Sequence, residues 1–203
     1  VARFSLLCRA VSRSSQHRVE RRRYRASTGF TLVELMIVVA IVSVLATVAI
    51  YGVTKYTRSA KASEATETLA AIRVAQELYR QETFVYLDVS AGSLANLHPR
   101  STPDGDKVDF GGDGDDAALA ARFRELGVET SGPVYFSYGV VAGRAGESFP
   151  EVPTEKTDFN FPADPADPFY VAIAKGDLDG DGNFSYFLTH SLSSEVYMEN
   201  EGE

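Results

Sequence analysis

The chain has 203 residues, 44% hydrophobic and 24% charged, with a net charge of −8, which suits one modest domain plus extensions. That charge is unevenly spread: residues 1–29 hold eight Arg and one Glu, a net of +7, and the remainder carries −15. So acidic a remainder excludes a broad nucleic-acid-binding surface, because phosphate contacts need clustered Lys and Arg, and the sole cysteine, Cys8, leaves no disulfide beyond residue 29.

Residues 1–29 read as a processing segment, to be set aside in fold reasoning. Arg18, Arg21, Arg22, Arg23 and Arg25 crowd its end, and Gly29-Phe30 marks the border with an apolar run that reaches Val53 and contains one charge, Glu34. At about 1.5 Å per helical residue this run is long enough to cross a hydrocarbon core of about 30 Å. The basic flank predicts a cytoplasmic N-terminus, with everything after Val53 sent outward. A carboxylate within lipid costs about 2.5–3.5 kcal/mol on insertion scales. A helix that served only as an anchor would not carry Glu34.

Residues 54–87 contain no Gly or Pro and are rich in Ala, Glu, Arg and Gln, good helix formers that predict an amphipathic continuation of the same helix. Ala62, Ala65, Leu69, Ile72 and Tyr79 form its apolar stripe. The whole is a single helix of about 55 residues, roughly 80 Å long. Residues 88–203 read as a globular head. From Val89 to Gly114 the composition turns to Gly, Asp, Ser and Pro, a loop with turns. Asp115 to Leu126 is a predicted short helix, with acids at its start and Gly127 as its stop. Val134 to Ala142, Phe169 to Ala174 and Phe184 to Thr189 are predicted strands, and Val196 to Met198 a short fourth. Between the first two lies an irregular segment with five of the eight prolines. The expected fold class is therefore α+β: a long N-terminal helix packed against a C-terminal antiparallel sheet of three to four strands. Tyr135, Phe136, Tyr138, Phe169, Tyr170, Phe184, Tyr186 and Phe187 are the candidate core.

The border carries the most specific motif. Gly29, Phe30, Thr31, Leu32, Val33 and Glu34, followed by Leu35 to Ile41, resemble the type III signal of type IV pilins and the related pseudopilins, usually written G-F-T-L-x-E. The resemblance implies that a prepilin peptidase cuts after Gly29, that Phe30 becomes an N-methylated N-terminus, and that Glu34 is the family's helical glutamate. It also implies a pilin-like fold and makes residues 1–29 a leader. That leader is long for the family and begins on Val; one expectation is that translation starts later, at Val11 or Val19. Two positions depart from the family: Tyr51 stands where Pro is usual, and Ser43 where a small residue, often Gly, is usual. Tyr51 keeps a backbone hydrogen bond that Pro would break.

A second motif, Asp177-Leu178-Asp179-Gly180-Asp181-Gly182-Asn183, matches the opening of an EF-hand-type loop. Asp177, Asp179, Asp181 and Asn183 are the candidate calcium ligands. The place of an EF-hand's bidentate Glu is held by Leu188, and strands flank the loop, so a full EF-hand is not expected. The competing reading is a plain hairpin turn, which Asp-Gly pairs favour. Certain secretion pseudopilins resemble this chain in lacking the disulfide and in using calcium in the C-terminal loop. A further acidic cluster, Asp104, Asp106, Asp109, Asp113, Asp115 and Asp116, reads as a solvated loop and helix start. His98 and His190 have no partner at zinc-ligand spacing. No nucleophile elbow, phosphate loop or dinucleotide fingerprint is present, so catalysis has no support.

The leading expectation is a structural subunit of a type IV pilus or pilus-like filament. It would be held in the bacterial inner membrane and then polymerised with copies of itself and related pilins into an extracellular or periplasmic filament. The implied partners are the prepilin peptidase and methyltransferase and the membrane assembly platform. The alternatives are a minor pilin or a type II secretion pseudopilin. More distant are a secreted binding protein with a conventional signal peptide cut near Thr47-Val48-Ala49, and a monomeric calcium-dependent adhesin.

Overall fold

The computed structural model describes residues 29–153, 161 and 165–200. The leader, with Cys8 and its arginines, lies outside the described residues apart from Gly29, and so does part of the proline-rich segment. The chain divides into two units, Val1–Val44 and Leu45–Glu203. In the first, the described residues from Leu32 onward are helical, and every one of residues 29–44 is exposed.

The helix α1 covers Leu32–Thr83, 52 residues, passing through Gly52 without a break. It stops four residues short of the expected Leu87, where Phe84 takes a positive φ of 64° and its N–H still reaches the Arg80 carbonyl. Within the second unit α1 buries Ala62, Ala65, Thr68, Leu69, Ile72 and Gln76. This is the expected stripe, with Tyr79 only partly buried at its edge.

The second helix, α2, is Ala117–Leu126. Asp116 caps its start, accepting from the N–H groups of Ala118 and Leu119, and Gly127 ends it in the left-handed region at φ 77°. Four strands follow: β1 Ser137–Gly143, β2 Phe169–Gly176, β3 Ser185–His190 and β4 Tyr197–Glu199. They form an antiparallel meander in the order β1-β2-β3-β4. Tyr138 faces Ala174, Ile173 faces Leu188 and Phe187 faces Met198 across the ladder.

Both faces of this sheet are covered. On one, Tyr138, Val140, Tyr170, Ala172, Ala174 and Phe187 pack with the α1 stripe and with Phe123 of α2. On the other, Val141, Phe169, Val171, Ile173 and Leu188 pack with Leu94 and Leu97 from the loop after α1. A strand buried on both sides has no polar face, which is why β2 is apolar without a break from Phe169 to Ala174. Of the candidate core aromatics, Tyr135 and Phe184 are only partly buried. Lys61 and Lys107 lie over the Tyr135 ring, and Lys175 lies over Phe184.

Candidate functional site

Gly29 and Phe30 precede α1, outside any helix or strand, and are exposed, Phe30 84%. A Cβ built on Gly29 meets nothing within 4 Å. The next residue starts the helix. The Thr31 carbonyl accepts from Leu35 N–H at 3.2 Å, and the Thr31 hydroxyl accepts from Glu34 N–H at 3.1 Å. In return Glu34 Oε2 accepts from the Thr31 N–H at 2.9 Å and from its hydroxyl at 2.8 Å. This is a reciprocal capping box. Its signal, Thr-x-x-Glu, stands within the same six residues as the processing motif, but reading those residues only for processing passes over Thr31 as a cap.

The rest of the run is built to leave few polar groups free. Ser43, Thr54 and Thr57 donate their hydroxyls to the carbonyls four residues back, at 2.7, 2.9 and 2.8 Å. Large apolar side chains from Leu32 to Val53 are exposed on all sides. Among the described residues α1 is the one helix long and apolar enough to cross a membrane.

The second candidate lies in the connection from Gly176 to Ser185, the last paired residues of β2 and β3. It spans residues 177–184, longer than a two-residue hairpin turn. Asp177 organises it and is 4% exposed. One carboxylate oxygen accepts from Gly180 N–H at 2.7 Å and the other from Gly182 N–H at 3.0 Å. Gly180 and Gly182 take φ of 77° and 88°, left-handed values that a side chain would oppose. Asp181 accepts from the Asn183 backbone and side-chain amides at 2.8 and 2.9 Å. Those donors, the backbone one first, hold its carboxyl below the usual range. Oxygens of Asp177, Asp179 and Asp181 lie within 4.8 Å of one another.

Two cations from α1 also meet this turn, and no local pattern announces them. Arg58 pairs with Asp179 at 2.7 Å, and Lys61 Nζ donates to the Leu178 carbonyl at 2.9 Å. Farther along the helix, Arg73 donates to the Thr189 hydroxyl and to the carbonyls of Ser193 and Ser194. Side chains of α1 thus hold both the turn before β3 and the turn after it.

The other acidic cluster stays dispersed. Asp104 pairs with Arg100 and Asp113 with Arg124; Asp115 accepts from the Ser101 N–H and hydroxyl, and Asp116 is the α2 cap. His98 is a core residue between Phe110 and Phe123. Its Nε2 donates to the Phe110 carbonyl at 2.8 Å, and its Nδ1 has no partner among the described residues. Burial pushes its pKa down, the Phe110 hydrogen bond opposing.

Residues 24–50 match the family described as the prokaryotic N-terminal methylation motif. The match fits a type IV pilin-like prepilin signal and supports a pilin-like or pseudopilin protein anchored in a membrane before assembly. No curated protein matches the chain, and no solved structure does.

Proposed function

We propose that this chain is the structural subunit of a type IV pilus or pilus-like filament. A prepilin peptidase cuts after Gly29, Phe30 is N-methylated, and the mature chain waits in the bacterial inner membrane before polymerising with copies of itself and related pilins. The carrying observation is one juxtaposition. An exposed Gly29-Phe30 bond stands next to a helix whose apolar run, as far as Val53, is exposed on every side and holds one charge, Glu34. Apolar surface of that extent is stable in lipid or against other copies of itself, and not in water.

Cleavage creates an amine at Phe30 that the precursor lacks. The Glu34 carboxylate pairs with that amine, on a neighbouring subunit, once the leader is gone. Thr31 meanwhile keeps the carboxylate hydrogen-bonded while the chain is alone. The test is the N-terminus of the mature chain together with Gly29→Ala. A mature chain starting at Phe30, and a Gly29→Ala chain retained uncut with no filament, are the expected results. The added methyl has free space in this chain, so lost cleavage reports on the peptidase. Mature chains starting at Ile50 would favour a conventional secreted protein, and a Gly29→Ala chain cut and assembled normally would overturn the assignment of the signal.

A secretion pseudopilin is the second reading, favoured by the acidic turn. Asp177, Asp179, Asp181 and Asn183 are proposed to hold calcium, which takes six to eight oxygen ligands. The convergence of the three carboxylates fits such an ion. The Arg58 pairing with Asp179 does not, because the guanidinium occupies the oxygen an ion would take. Calcium therefore binds here by displacing Arg58.

A further inference from the structure

β3 ends at His190, and the chain turns through Ser191, Leu192, Ser193 and Ser194 on its way to β4. Three serines in four residues leave little side-chain volume beside α1. Arg73 draws the turn toward the helix, donating to the Thr189 hydroxyl and to the carbonyls of Ser193 and Ser194. Between helix and turn lies a pocket of about 250 Å³, lined by Arg73, Glu77, Tyr170 and residues 191–194. Pockets for drug-sized ligands run to about 300–1,000 Å³, so this one suits a single small ring.

Tyr170 is the member of this lining that its own fold does not explain. It is fully buried on β2, edge-on to the Tyr86 ring at 4.9 Å. Its hydroxyl has no hydrogen-bond partner among the described residues. A buried hydroxyl left unbonded is destabilising, and a Phe ring would pack the same core without it. The charges acting on that oxygen belong to Arg73 and Glu77, which are walls of the pocket. The hydroxyl end is therefore directed at the pocket. Burial pushes its pKa up to about 12, with Arg73 opposing, so the phenol stays neutral and can both donate and accept.

The other walls decide the charge of what fits. Arg73 has turned both terminal nitrogens to the protein, and Glu77 stands beside it, so an anion finds no free fork and meets a carboxylate. A cation meets Arg73, and one carboxylate is too few for calcium, which takes six to eight oxygens. Hydroxyl chemistry remains. The oxygens of Ser191 and Ser193 accept from the N–H groups of Tyr170 and Glu195, which leaves their own protons to donate. Glu77 Oε1 accepts from the Tyr86 hydroxyl at 2.9 Å, which leaves Oε2 to accept. We propose that this pocket binds one neutral sugar ring, free or at the end of a glycan. Each sugar hydroxyl donates and accepts, as this lining does. The ring reaches Tyr170 when the turn 191–194 shifts, and there it bonds the one hydroxyl of the site that the fold leaves unpaired. The site stands whether or not the chain polymerises.

The test titrates the detergent-solubilised full chain with glucose, galactose and mannose, each free and as its methyl glycoside, followed by saturation-transfer NMR. At least one hexose should bind, with an affinity that does not change with salt, because a neutral ligand has no charge to screen. Tyr170→Phe should weaken that binding at least tenfold. Without sugar the same variant should melt at or above the parent, because no hydrogen bond is lost. Equal binding of sugar and glycoside places the end of a glycan in the pocket; binding of the free sugar alone places a free sugar there. No binding of any hexose, or binding of inorganic phosphate or methylammonium in their place, overturns the proposal. So does a Tyr170→Phe chain that binds as the parent does. A Tyr170→Phe chain that melts well below the parent overturns it as well, since the hydroxyl would then be bonded to an internal water.

Discussion

Glu34 has two roles that a single substitution would confuse. It completes the capping box with Thr31, and under the filament reading it also meets the Phe30 amine of a neighbour. Thr31→Ala removes the hydroxyl and about 1 kcal/mol of cap but leaves the carboxylate. Its chain should be processed and should enter filaments. Glu34→Ala should insert and be processed but fail to incorporate when it is the sole subunit. Equal failure of both in a filament assay would mean that Glu34 acts only as a cap. His98 gives a second residue-scale expectation. The Phe110 carbonyl requires the proton on Nε2, so protonation would put a second N–H on Nδ1, which has no partner among the described residues. Burial therefore lowers the folded pKa below the unfolded value of about 6.5. The unfolded chain then binds more protons as pH falls through that value, and stability present above it is lost going down. His190 is shifted the same way, by burial and by Arg73. The solubilised chain should melt lower at pH 5.5 than at pH 7.5, and His98→Phe should shrink the difference. An unchanged difference in that variant would remove His98 as its source.

The elements divide into those with a local cause and those without one. The α1 stripe, the α2 caps and the aromatic strands follow from periodicity and end signals, and each is found within a few residues of its expected bounds. The shift of β1 to Ser137 has a tertiary cause: Val134 is paired with Val108 in an isolated bridge instead of joining the ladder. The end of α1 at Thr83 has no sequence mark, because Phe84 is not a residue that favours positive φ. Close packing inside the sheet also rests on Gly176, where a Cβ would stand 2.6 Å from the ring of the buried Phe136. Gly176→Ala should cost about 1–3 kcal/mol by overpacking, a fall of several degrees in Tm. Gly132→Ala, with nothing near its Cβ, should leave the melt close to the parent. Equal melts for both variants would show that the ring moves aside at little cost.

At the scale of the molecule, a C-terminal region without a disulfide must be held by other bonds. In this structure Arg58, Lys61 and Arg73 do so from α1. The Arg58–Asp179 pair is partly exposed and contributes at most about 1 kcal/mol. Calcium at 100 times its dissociation constant would add about 2.7 kcal/mol to a domain stability of roughly 5–15 kcal/mol. The solubilised chain should melt higher with calcium than with chelator, and Asp179→Ala with Asp181→Ala should abolish the gain. Identical melts would leave the α1 cations as the fastening of this region. The sequence by itself determined the Gly29-Phe30 motif, the apolar run, the α+β order and the acids of the turn, because each is written in consecutive or periodic residues. Only the tertiary structure decided that the sheet is covered on both faces, that Asp177 is the buried pivot of its turn, and that Arg58 answers Asp179 from 121 positions away. Contacts between such distant residues depend on how the whole chain packs, and no local period encodes them.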